Sequence, residues 1–282
     1  MLALIDSDIL AYEFGSMKEL DEEGNKTDTV LPFEVCRKML DDRVLQIVEA
    51  TQATDKKLFL TDSSTNFRIE KATILPYKGQ RKQEKPEHWE ALRQHMIDNY
   101  DAMVVRGWEA DDEIGVEQYE DFEFHCVLNS HPSDALNTLI CTRDKDLDMI
   151  PGWHYCWPAG NQTEKLYFQD ERDAIRFFYK QLLTGDSVDN ILGLHRIGSK
   201  NQAVKDLDSL DDELDMFMHV HSMYRSYFGS YADLFMKENG TLLWILRSRN
   251  TNEWLERYDN NFDRIRRMQR DGVSEEGQML EA

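Results

Sequence analysis

The chain has 282 residues, 41% of them hydrophobic, and a formal net charge of −21. This length allows one large domain or two small ones, and no apolar run approaches the roughly 18 residues of a membrane helix. The charge argues against a general nucleic-acid-binding protein, which would be basic, so any DNA contact should use local basic patches. Asp6 and Asp8 interrupt the apolar start, and the four cysteines show no CxxC spacing. We therefore expect no signal peptide and a cytosolic protein with reduced thiols.

The first part of the chain alternates short apolar segments, typical of strands, with longer segments at helical spacing. We predict two strands and two helices here, in the order strand, helix, strand, helix, at residues 1–5, 32–53, 57–60 and 86–100. The polar residues 16–29 contain a Gly24-Asn25 turn signal and predict an exposed loop.

The same alternation continues to about Asp170 and predicts a parallel α/β sheet. In this part we expect one helix at residues 110–120. We expect three strand segments at residues 102–105, 122–128 and 138–141. After Asp170 only helical patterns remain, at residues 172–184, 202–207, 211–227, 231–247 and 252–268.

Nine carboxylates stand in five short clusters, each of which ends a predicted strand or lies at the end of a predicted helix: Asp6, Asp62, Glu109, Asp111, Asp112, Asp144, Asp146, Asp186 and Asp189. Any one of them alone could be an ordinary turn or helix-capping residue. Asp6, Asp62 and Asp144 directly follow apolar strands, and ligands of open α/β sheets bind beyond the carboxyl ends of the strands. So many acids require cations, and oxygen ligands without His or Cys suit Mg²⁺ or Mn²⁺. Such sites usually serve phosphoryl transfer or phosphodiester cleavage.

Two basic segments contrast with this acidic background. YKGQRKQEK at 77–85 carries four cations against one acid, namely Lys78, Arg81, Lys82 and Lys85. GDSVDN at 185–190 is followed by GLHRIGSK at 193–200, whose two glycines predict a helix–hairpin–helix turn. Amides of such a turn can bind phosphate, and its carbonyls can hold a monovalent cation such as K⁺. Three further cations follow within this region: Arg196, Lys200 and Lys205.

Taken in order, Asp6, Asp62, YKGQR, WEADD, TRDKDLD, GDSVDN and GLHRIGSK resemble the flap endonuclease and 5′-nuclease superfamily, most closely its stand-alone phage exonucleases of the T7 type. The resemblance covers residues 1 to about 210. It implies a PIN-like α/β nuclease domain over 1–168 with a helical arch at about 77–100. It also implies a helical DNA-binding region over 169–282 with a helix–three-turn–helix element at about 185–207.

The resemblance implies two Mg²⁺ or Mn²⁺ ions. Asp6, Asp62, Glu109 and Asp111 would surround the first ion, with Asp112 adjoining. Asp144, Asp146, Asp186 and Asp189 would surround the second. Asp6, Asp62 and Asp144 would thus be catalytic, together with Lys78 and Arg81 near the scissile phosphate. The DNA-binding residues would be Tyr77, which would stack on a base, and Lys78, Arg81, Lys82, Lys85, Arg196, Gly198, Lys200 and Lys205. The chain departs from the family in its short arch and in Trp108 before EADD.

The function expected from this resemblance is divalent-metal-dependent 5′→3′ exonuclease or flap endonuclease activity at DNA 5′ ends, nicks or flaps. RNA in RNA–DNA hybrids is a further expected substrate class, replication proteins are possible partners, and the cytoplasm of a phage-infected cell is the expected location. Three alternatives remain. They are an inactive nuclease fold that binds DNA ends, an acidic calcium-binding or interaction protein, and a PIN-type ribonuclease. The second leaves the basic segments unexplained, and the third lacks the GDSVDN–GLHRIGSK extension.

Overall fold

The computed structural model describes residues 1–81, 84–128 and 132–279. Its strands and helices are, in chain order, β1 (Leu2–Asp6), α1 (Ser7–Phe14), β2 (Lys18–Leu20), β3 (Lys26–Val30), α2 (Phe33–Thr51), β4 (Asp55–Asn66), α3 (Phe67–Lys71), α4 (Trp89–Tyr100), β5 (Met103–Gly107), α5 (Ala110–Leu128), β6 (Thr138–Cys141), β7 (Gly152–Cys156), β8 (Lys165–Gln169), α6 (Glu171–Thr184), β9 (Gly185–Asp186), β10 (Ile191–Leu192), α7 (Gln202–Asp206), α8 (Glu213–Phe228), α9 (Ala232–Leu243) and α10 (Glu253–Met279). Short 3₁₀ helices lie at Pro132–Asp134, Lys145–Met149, Leu207–Ser209 and Gly229–Tyr231. Among the described helices, none is long and apolar enough to cross a membrane.

The chain forms two compact units. The main division falls within α6, between Ala174 and Ile175, shortly after the expected boundary at 168/169. Two short segments are exceptions to this division. Lys71–Gly79 is part of the second unit although the residues on both sides of it belong to the first, and Ile245–Arg249 is part of the first unit although its neighbours belong to the second. The chain therefore passes between the units more often than a single domain boundary would require.

The first unit is built on a six-stranded sheet with the order β5-β4-β1-β6-β7-β8. Neighbouring strands are parallel except β7 and β8, which are antiparallel. Strand β1 lies in the middle, with Ile5 opposite Leu58 on one side and Cys141 on the other. This mostly parallel sheet with flanking helices confirms the predicted PIN-like α/β class.

Helices cover both faces of this sheet. Ala3, Ile5 and Leu58 belong to a buried cluster that also contains side chains of α1, α2 and α4. Leu4 and Phe59 are also buried, and they face the opposite side because side chains alternate along a strand. Helix α5 packs against β1, β4 and β6. Strands buried on both faces read as unbroken apolar runs, which is why the sequence signals the central strands so clearly.

A predicted loop and a predicted strand have other structures. The predicted loop at residues 16–29 belongs to the antiparallel hairpin of β2 and β3, which ends at Val30, and its turn places Gly24 at a φ of +83°. Residues 122–128, predicted as a strand, continue α5. Phe124 and Val127 are 61% and 81% exposed, so the apolar residues that suggested a buried strand lie mostly on a solvent-facing helix surface.

The antiparallel strands β7 and β8 were not predicted. Trp153 and His154 of β7 pair with Phe168 and Tyr167 of β8, and a connection with an isolated bridge between Ala159 and Gln162 joins the strands. Strand β8 is only partly buried, as expected for the edge of a sheet. Its mixed composition therefore lacks the apolar run that marks the central strands.

The predicted arch segment is helical only in its second half, where α4 begins at Trp89. A turn occupies residues 77–80, and the described residues 84–88 contain no helix. The remaining arch position named above, Lys82, lies outside the described residues. Helix α4 buries one face in the core cluster of the first unit, so it is part of the packed domain.

The second unit is helical, as predicted, and has an aromatic core. The ring centroid of Phe178 on α6 lies 4.8 Å from those of both Trp244 and Trp254. Phe217 on α8 lies 5.2 Å from Tyr258 on α10. Tilted contacts at these distances are a favourable geometry for buried aromatic rings. The unit thus has its own apolar core, and α9 packs against the short hairpin of β9 and β10.

Candidate functional site

Acidic residues stand at the carboxyl ends of four neighbouring parallel strands in the first unit. Asp6 ends β1, and Asp62 lies in β4 directly after the continuous run of residues that pair with β5, where the register of the two strands shifts. Glu109 follows the end of β5, and Asp144 follows the end of β6. The four strands are consecutive in the sheet, in the order β5-β4-β1-β6. Because parallel strands end at the same edge, these four acids form one edge, which we call the acid edge.

Asp6 is the most strongly perturbed member of the acid edge. It is 4% exposed, and burial raises its pKa to about 8, with further contributions from the negative charges of Asp8 and Asp144. The Thr142 hydroxyl donates to Asp6 Oδ2 at 2.9 Å and opposes this shift. The charged form of such a carboxyl is costly unless a nearby cation compensates it.

Asp8, two residues further on, is held by the protein itself. Arg93 on α4 pairs with its Oδ1, and the Thr61 amide donates to its Oδ2 at 2.8 Å. Arg93 also donates to the Thr61 carbonyl at 2.7 Å. Burial raises the pKa of Asp8, and the charge of Arg93 counteracts part of that effect. Asp8 and Arg93 therefore fasten α1 and α4 to β4 at Thr61.

Asp62 and Asp144 are each held by local hydrogen bonds. The Ser64 amide and hydroxyl donate to Asp62 Oδ1 at 2.9 and 2.6 Å, and these bonds lower the pKa of Asp62. Asp144 Oδ1 accepts from the Asp146 amide at 2.9 Å, which caps the following 3₁₀ helix. The Asp144 amide donates to the Thr142 hydroxyl oxygen at 2.9 Å. Thr142 therefore connects Asp144 to Asp6.

Three further predicted metal ligands, Glu109, Asp111 and Asp112, lie where α5 begins. The Glu109 side chain is 15% exposed, whereas that of Asp112 is fully buried. Arg68 on α3 donates to both carboxylate oxygens of Asp112, at 2.6 and 2.8 Å. The structure thus gives Asp112 a buried ion pair in place of the metal contact that the resemblance implies.

The chemistry of the acid edge suits a hard divalent cation. Its donors are carboxylate oxygens, and Asp6 is buried among like charges. Within the described ranges, no three His, Cys, Asp or Glu side chains are arranged as a ready metal cage. Binding would therefore require side-chain rearrangement at this edge. The residues that fit are Asp6, Asp62, Glu109, Asp111 and Asp144, whereas Asp112 does not fit.

The last two predicted acids belong to the second unit, at its β9–β10 hairpin. The amides of Val188 and Asp189 donate to Asp186 Oδ1 at 2.7 and 3.2 Å. The Tyr77 hydroxyl donates to Asp189 Oδ2 at 2.9 Å, and Lys78 Nζ lies 3.7 Å from the same oxygen. Tyr77 is 8% exposed. Its buried ring supports Asp189 and does not offer the exposed stacking surface that the resemblance implies.

Glycines make this hairpin possible. Gly185 has a φ of +68°, and a Cβ on Gly193 would lie 2.1 Å from the Thr184 carbonyl carbon. Residues other than glycine would therefore force the backbone apart at Gly193. Gly198, the second glycine of the predicted turn, has open space around its Cα. The two glycines of the motif consequently have different roles.

The predicted phosphate-binding cations Arg196, Lys200 and Lys205 are all exposed. The helix that follows the turn, α7, has only five residues, and its Ala203 amide donates to the Asn201 side chain at 2.9 Å. The predicted use of helix-terminal amides for phosphate is therefore replaced, in part, by an internal cap. The exposed side chains remain as the positive surface of this hairpin region.

The other cations of the arch segment belong to the first unit. Arg81 is exposed. Lys85 Nζ lies 3.6 Å from the centroid of the Trp89 ring and 3.4 Å from Glu90 Oε1. Lys85 thus packs on α4 through its contact with an aromatic face.

Sequence reasoning did not identify Arg68, Arg93 or Thr142. Arg93 stands at helical spacing between Trp89 and Met96, on the buried face of α4, and a cation on an apolar face was the available signal. Thr142 directly follows a strand and precedes the acid pair, so its position was also informative. Arg68 lies in a short polar segment whose sequence carries no comparable sign of burial.

No family model matches the chain, and no curated protein matches it. Three solved structures of bacteriophage T5 proteins are similar to it at 16% identity. They are a protein co-crystallized with metal ions (TM-score 0.47), a flap endonuclease variant in a pseudo-enzyme–product complex with DNA and metal ions (0.49), and a 5′-exonuclease with bound zinc (0.46). The alignments cover 86% of this chain and 98%, 98% and 99% of those chains, respectively. At these identities and TM-scores, the roles of individual residues rest on the site itself.

Proposed function

We propose that this protein is a divalent-metal-dependent 5′-nuclease that hydrolyses phosphodiester bonds at DNA 5′ ends, nicks or flaps. The observation that carries the proposal is the acid edge. Asp6 is the last residue of β1, Asp62 lies in the second half of β4, and Glu109 and Asp144 follow β5 and β6, and these four strands are parallel neighbours in one sheet. The family motifs YKGQR, WEADD, GDSVDN and GLHRIGSK occur in the same chain and in the family's order.

The first unit would hold the metal through the acids that fit it, namely Asp6, Asp62, Glu109, Asp111 and Asp144. When bound, Mg²⁺ or Mn²⁺ supplies Lewis acidity, which generates hydroxide from water and stabilises charge on the phosphate oxygens. The protein's own part is to keep oxygen ligands ionised and oriented. Thr142 contributes to this at Asp6, whose carboxylate accepts from its hydroxyl, while the Thr142 oxygen accepts from the backbone amide of Asp144 and fixes the chain there. A second ion, as the resemblance implies, belongs to the same proposal.

Lys78 and the exposed cations of the second unit supply positive charge. Asp189 lies 3.7 Å from Lys78 Nζ and would orient the ammonium, which would neutralise charge that develops on the reacting phosphate. Arg196, Lys200 and Lys205 would contact the duplex backbone and fix its register without reading base sequence. The net charge of −21 repels DNA and keeps nonspecific binding weak, so binding would depend on these local contacts.

Cleavage of defined substrates tests this proposal. The purified protein is incubated with Mg²⁺ and with duplex, nicked, flapped and RNA–DNA hybrid substrates, each labelled in separate samples at the 5′ or the 3′ end. A 5′-nuclease releases short products from the 5′ label and shortens the 3′-labelled strand progressively or at the flap junction. Matched samples with excess chelator and with Asp144→Asn protein should show no cleavage.

Three results would contradict the proposal in different ways. Binding to DNA ends without cleavage in Mg²⁺ or Mn²⁺ would favour an inactive nuclease fold. Cleavage of single-stranded RNA with no action on DNA ends would favour a PIN-type ribonuclease. Undiminished cleavage in excess chelator would exclude the metal-dependent reaction. The hybrid substrate decides whether RNA belongs to the substrate range.

A further inference from the structure

A buried ion pair stands next to Glu109, at the start of α5. The side chains of Arg68 and Asp112 are 1% and 0% exposed. Arg68 Nη1 donates to Asp112 Oδ2 at 2.6 Å, and Nη2 donates to Oδ1 at 2.8 Å. This two-point contact is the strongest geometry available to a guanidinium and a carboxylate.

Two backbone amides complete the surroundings of the Asp112 carboxylate. The Glu109 amide donates to Oδ2 at 3.0 Å, and the Leu246 amide donates to Oδ1 at 3.1 Å. An ionised carboxylate has about four acceptor positions, and four donors occupy them here. A metal ion could bind Asp112 only by displacing one of these donors, which would leave a buried N–H group without a partner.

The ion pair also fixes Glu109. Besides the amide bond to Asp112 Oδ2, the Asp112 amide donates to the Glu109 carbonyl at 3.1 Å. The bond from the Glu109 amide to the Asp112 carboxylate is one half of a capping box, and the bond from the Asp112 amide to the Glu109 carbonyl closes the turn between the two residues. Arg68 Nη1 lies 4.0 Å from Glu109 Oε2. The backbone and the carboxylate of Glu109 are thus both held beside the ion pair.

We propose that Arg68 and Asp112 are positioning residues, which hold Glu109 at the acid edge, and that Asp112 is not a metal ligand. The inference rests on the proposed function in so far as Glu109 binds the metal. It assigns a role in metal binding to Arg68, although the positively charged guanidinium cannot itself be a metal ligand. Groups that orient metal ligands typically change metal affinity by about 10- to 100-fold when removed.

The first measurement is thermal unfolding of the metal-free protein in chelator. Asp112→Asn should lower Tm, on the order of 10 °C, because breaking a buried ion pair leaves Arg68 without its counter-charge. Asp6→Asn is the matched control, since the same substitution at Asp6 removes a carboxylate from among like charges. Its Tm should stay level or rise. Arg68→Lys keeps the charge but loses the two-point contact, so it should unfold at an intermediate temperature and remains testable if stronger variants do not fold.

The second measurement is Mn²⁺ affinity by titration calorimetry, without DNA and well below each Tm. Asp112→Asn and Arg68→Met should weaken Mn²⁺ binding by similar factors, at least about tenfold, and Arg68→Lys by less. Asp6→Asn should weaken it more than any of them, because Asp6 is proposed as a ligand.

Each other outcome counts against the inference. Loss of Mn²⁺ binding in Asp112→Asn with wild-type affinity in Arg68→Met would make Asp112 a ligand. Lower Tm values with wild-type affinity in both would reduce the pair to a purely structural role. Absence of Mn²⁺ binding by the wild-type protein would overturn the proposed function and this inference together.

Discussion

The acid edge of the first unit and the hairpin region of the second unit manage charge in opposite ways. At the acid edge, Asp6 is 4% exposed, and neighbouring acids make its ionisation costly. In the hairpin region, Arg196, Lys200 and Lys205 point their charges into solvent, on a backbone that glycines shape. One region needs a cation for its charges to coexist, whereas the charges of the other are stable by themselves and available to an anion.

This difference predicts how substitutions in the two regions should behave. Removing charge from the acid edge should destroy chemistry while relieving repulsion in the metal-free protein. Removing charge from the hairpin region should leave both chemistry and stability nearly unchanged and alter only the salt dependence of DNA binding. The following substitutions test the contrast, beginning with the largest expected effect.

Asp144→Asn should lower kcat by roughly 10³-fold or more, because a metal contributes several kcal/mol of transition-state stabilisation and about 1.4 kcal/mol corresponds to a factor of ten. The measurement is single-turnover cleavage of a flap substrate in Mg²⁺. Thermal unfolding in chelator is the control and should show a Tm no lower than that of the wild-type protein. A variant that cleaves within a few fold of the wild type would remove Asp144 from the site.

Lys78→Ala should lower kcat by about 10- to 100-fold and change KM little, since the ammonium is proposed to act on charge that develops in the transition state. Steady-state kinetics on the same flap substrate separate the two constants. Lys85→Ala is a matched control, because Lys85 packs on the Trp89 ring, and it should retain most of the wild-type kcat. A change confined to KM would make Lys78 a docking residue.

Gly193→Ala should destabilise the protein by roughly 1–3 kcal/mol, the usual cost of forcing extra volume into a packed site. The new Cβ would lie 2.1 Å from a backbone carbon and 2.4 Å from the Gly185 nitrogen. Denaturant unfolding measures the change. Gly198→Ala is the matched control, because no heavy atom lies within 4 Å of its Cβ position, and it should stay within about 0.5 kcal/mol of the wild type. Equal effects at both positions would contradict the assigned roles.

Asp6→Asn should stabilise the metal-free protein in a pH-dependent manner. The folded-state pKa of Asp6 is raised from 3.8 to about 8, so ionised Asp6 costs stability, and that cost grows as pH rises from about 4 to 8. The gain from Asn should therefore be larger near pH 9 than near pH 5 by at least about 1 kcal/mol, since one pKa unit corresponds to about 1.4 kcal/mol. Unfolding in chelator across this pH range measures it, and an equal gain at both ends would contradict the assignment.

The sequence predicted the parts of the site that depend on strand ends. Asp6, Asp62 and Asp144 come after apolar runs of β1, β4 and β6, and the parallel arrangement of these strands brings them to one edge. The sequence did not predict which of the acids forms a buried ion pair. Glu109, Asp111 and Asp112 are alike in sequence, and only the fold brings Arg68, 44 residues from Asp112, to one of them. The same limit applies to Tyr77, which is buried and whose hydroxyl donates to Asp189, 112 residues away in sequence.

Local composition misled the prediction where burial decides the structure. The apolar residues of 122–128 resemble a strand, but Phe124 and Val127 lie exposed on α5. Helix α5 is held beside β6 by Asp121, whose Oδ2 accepts from the Asn137 and Thr138 amides at 2.8 and 3.0 Å. This contact spans two elements, so no local pattern announces it.

The smallest expected effect concerns Lys200. Each phosphate neutralised on duplex DNA contributes about 0.9 to the slope of log affinity against log salt concentration. Lys200→Ala should therefore flatten this slope by about one unit and weaken binding to all sequences alike, because phosphate contacts carry no base information. Binding is measured with Asp144→Asn protein in Ca²⁺ over a salt series, on two duplexes of unrelated sequence.

Lys26→Ala is the matched control for this series, because Lys26 is an exposed lysine on β3 of the first unit. It changes the net charge by the same amount, so it reports any general effect of charge on DNA affinity. A slope that flattens equally in both variants would mean that overall charge governs binding. If the Lys200→Ala protein keeps the wild-type slope, the hairpin region does not contact phosphate at this residue. The contrast between a region that binds a cation and one that binds an anion would then lose its second half.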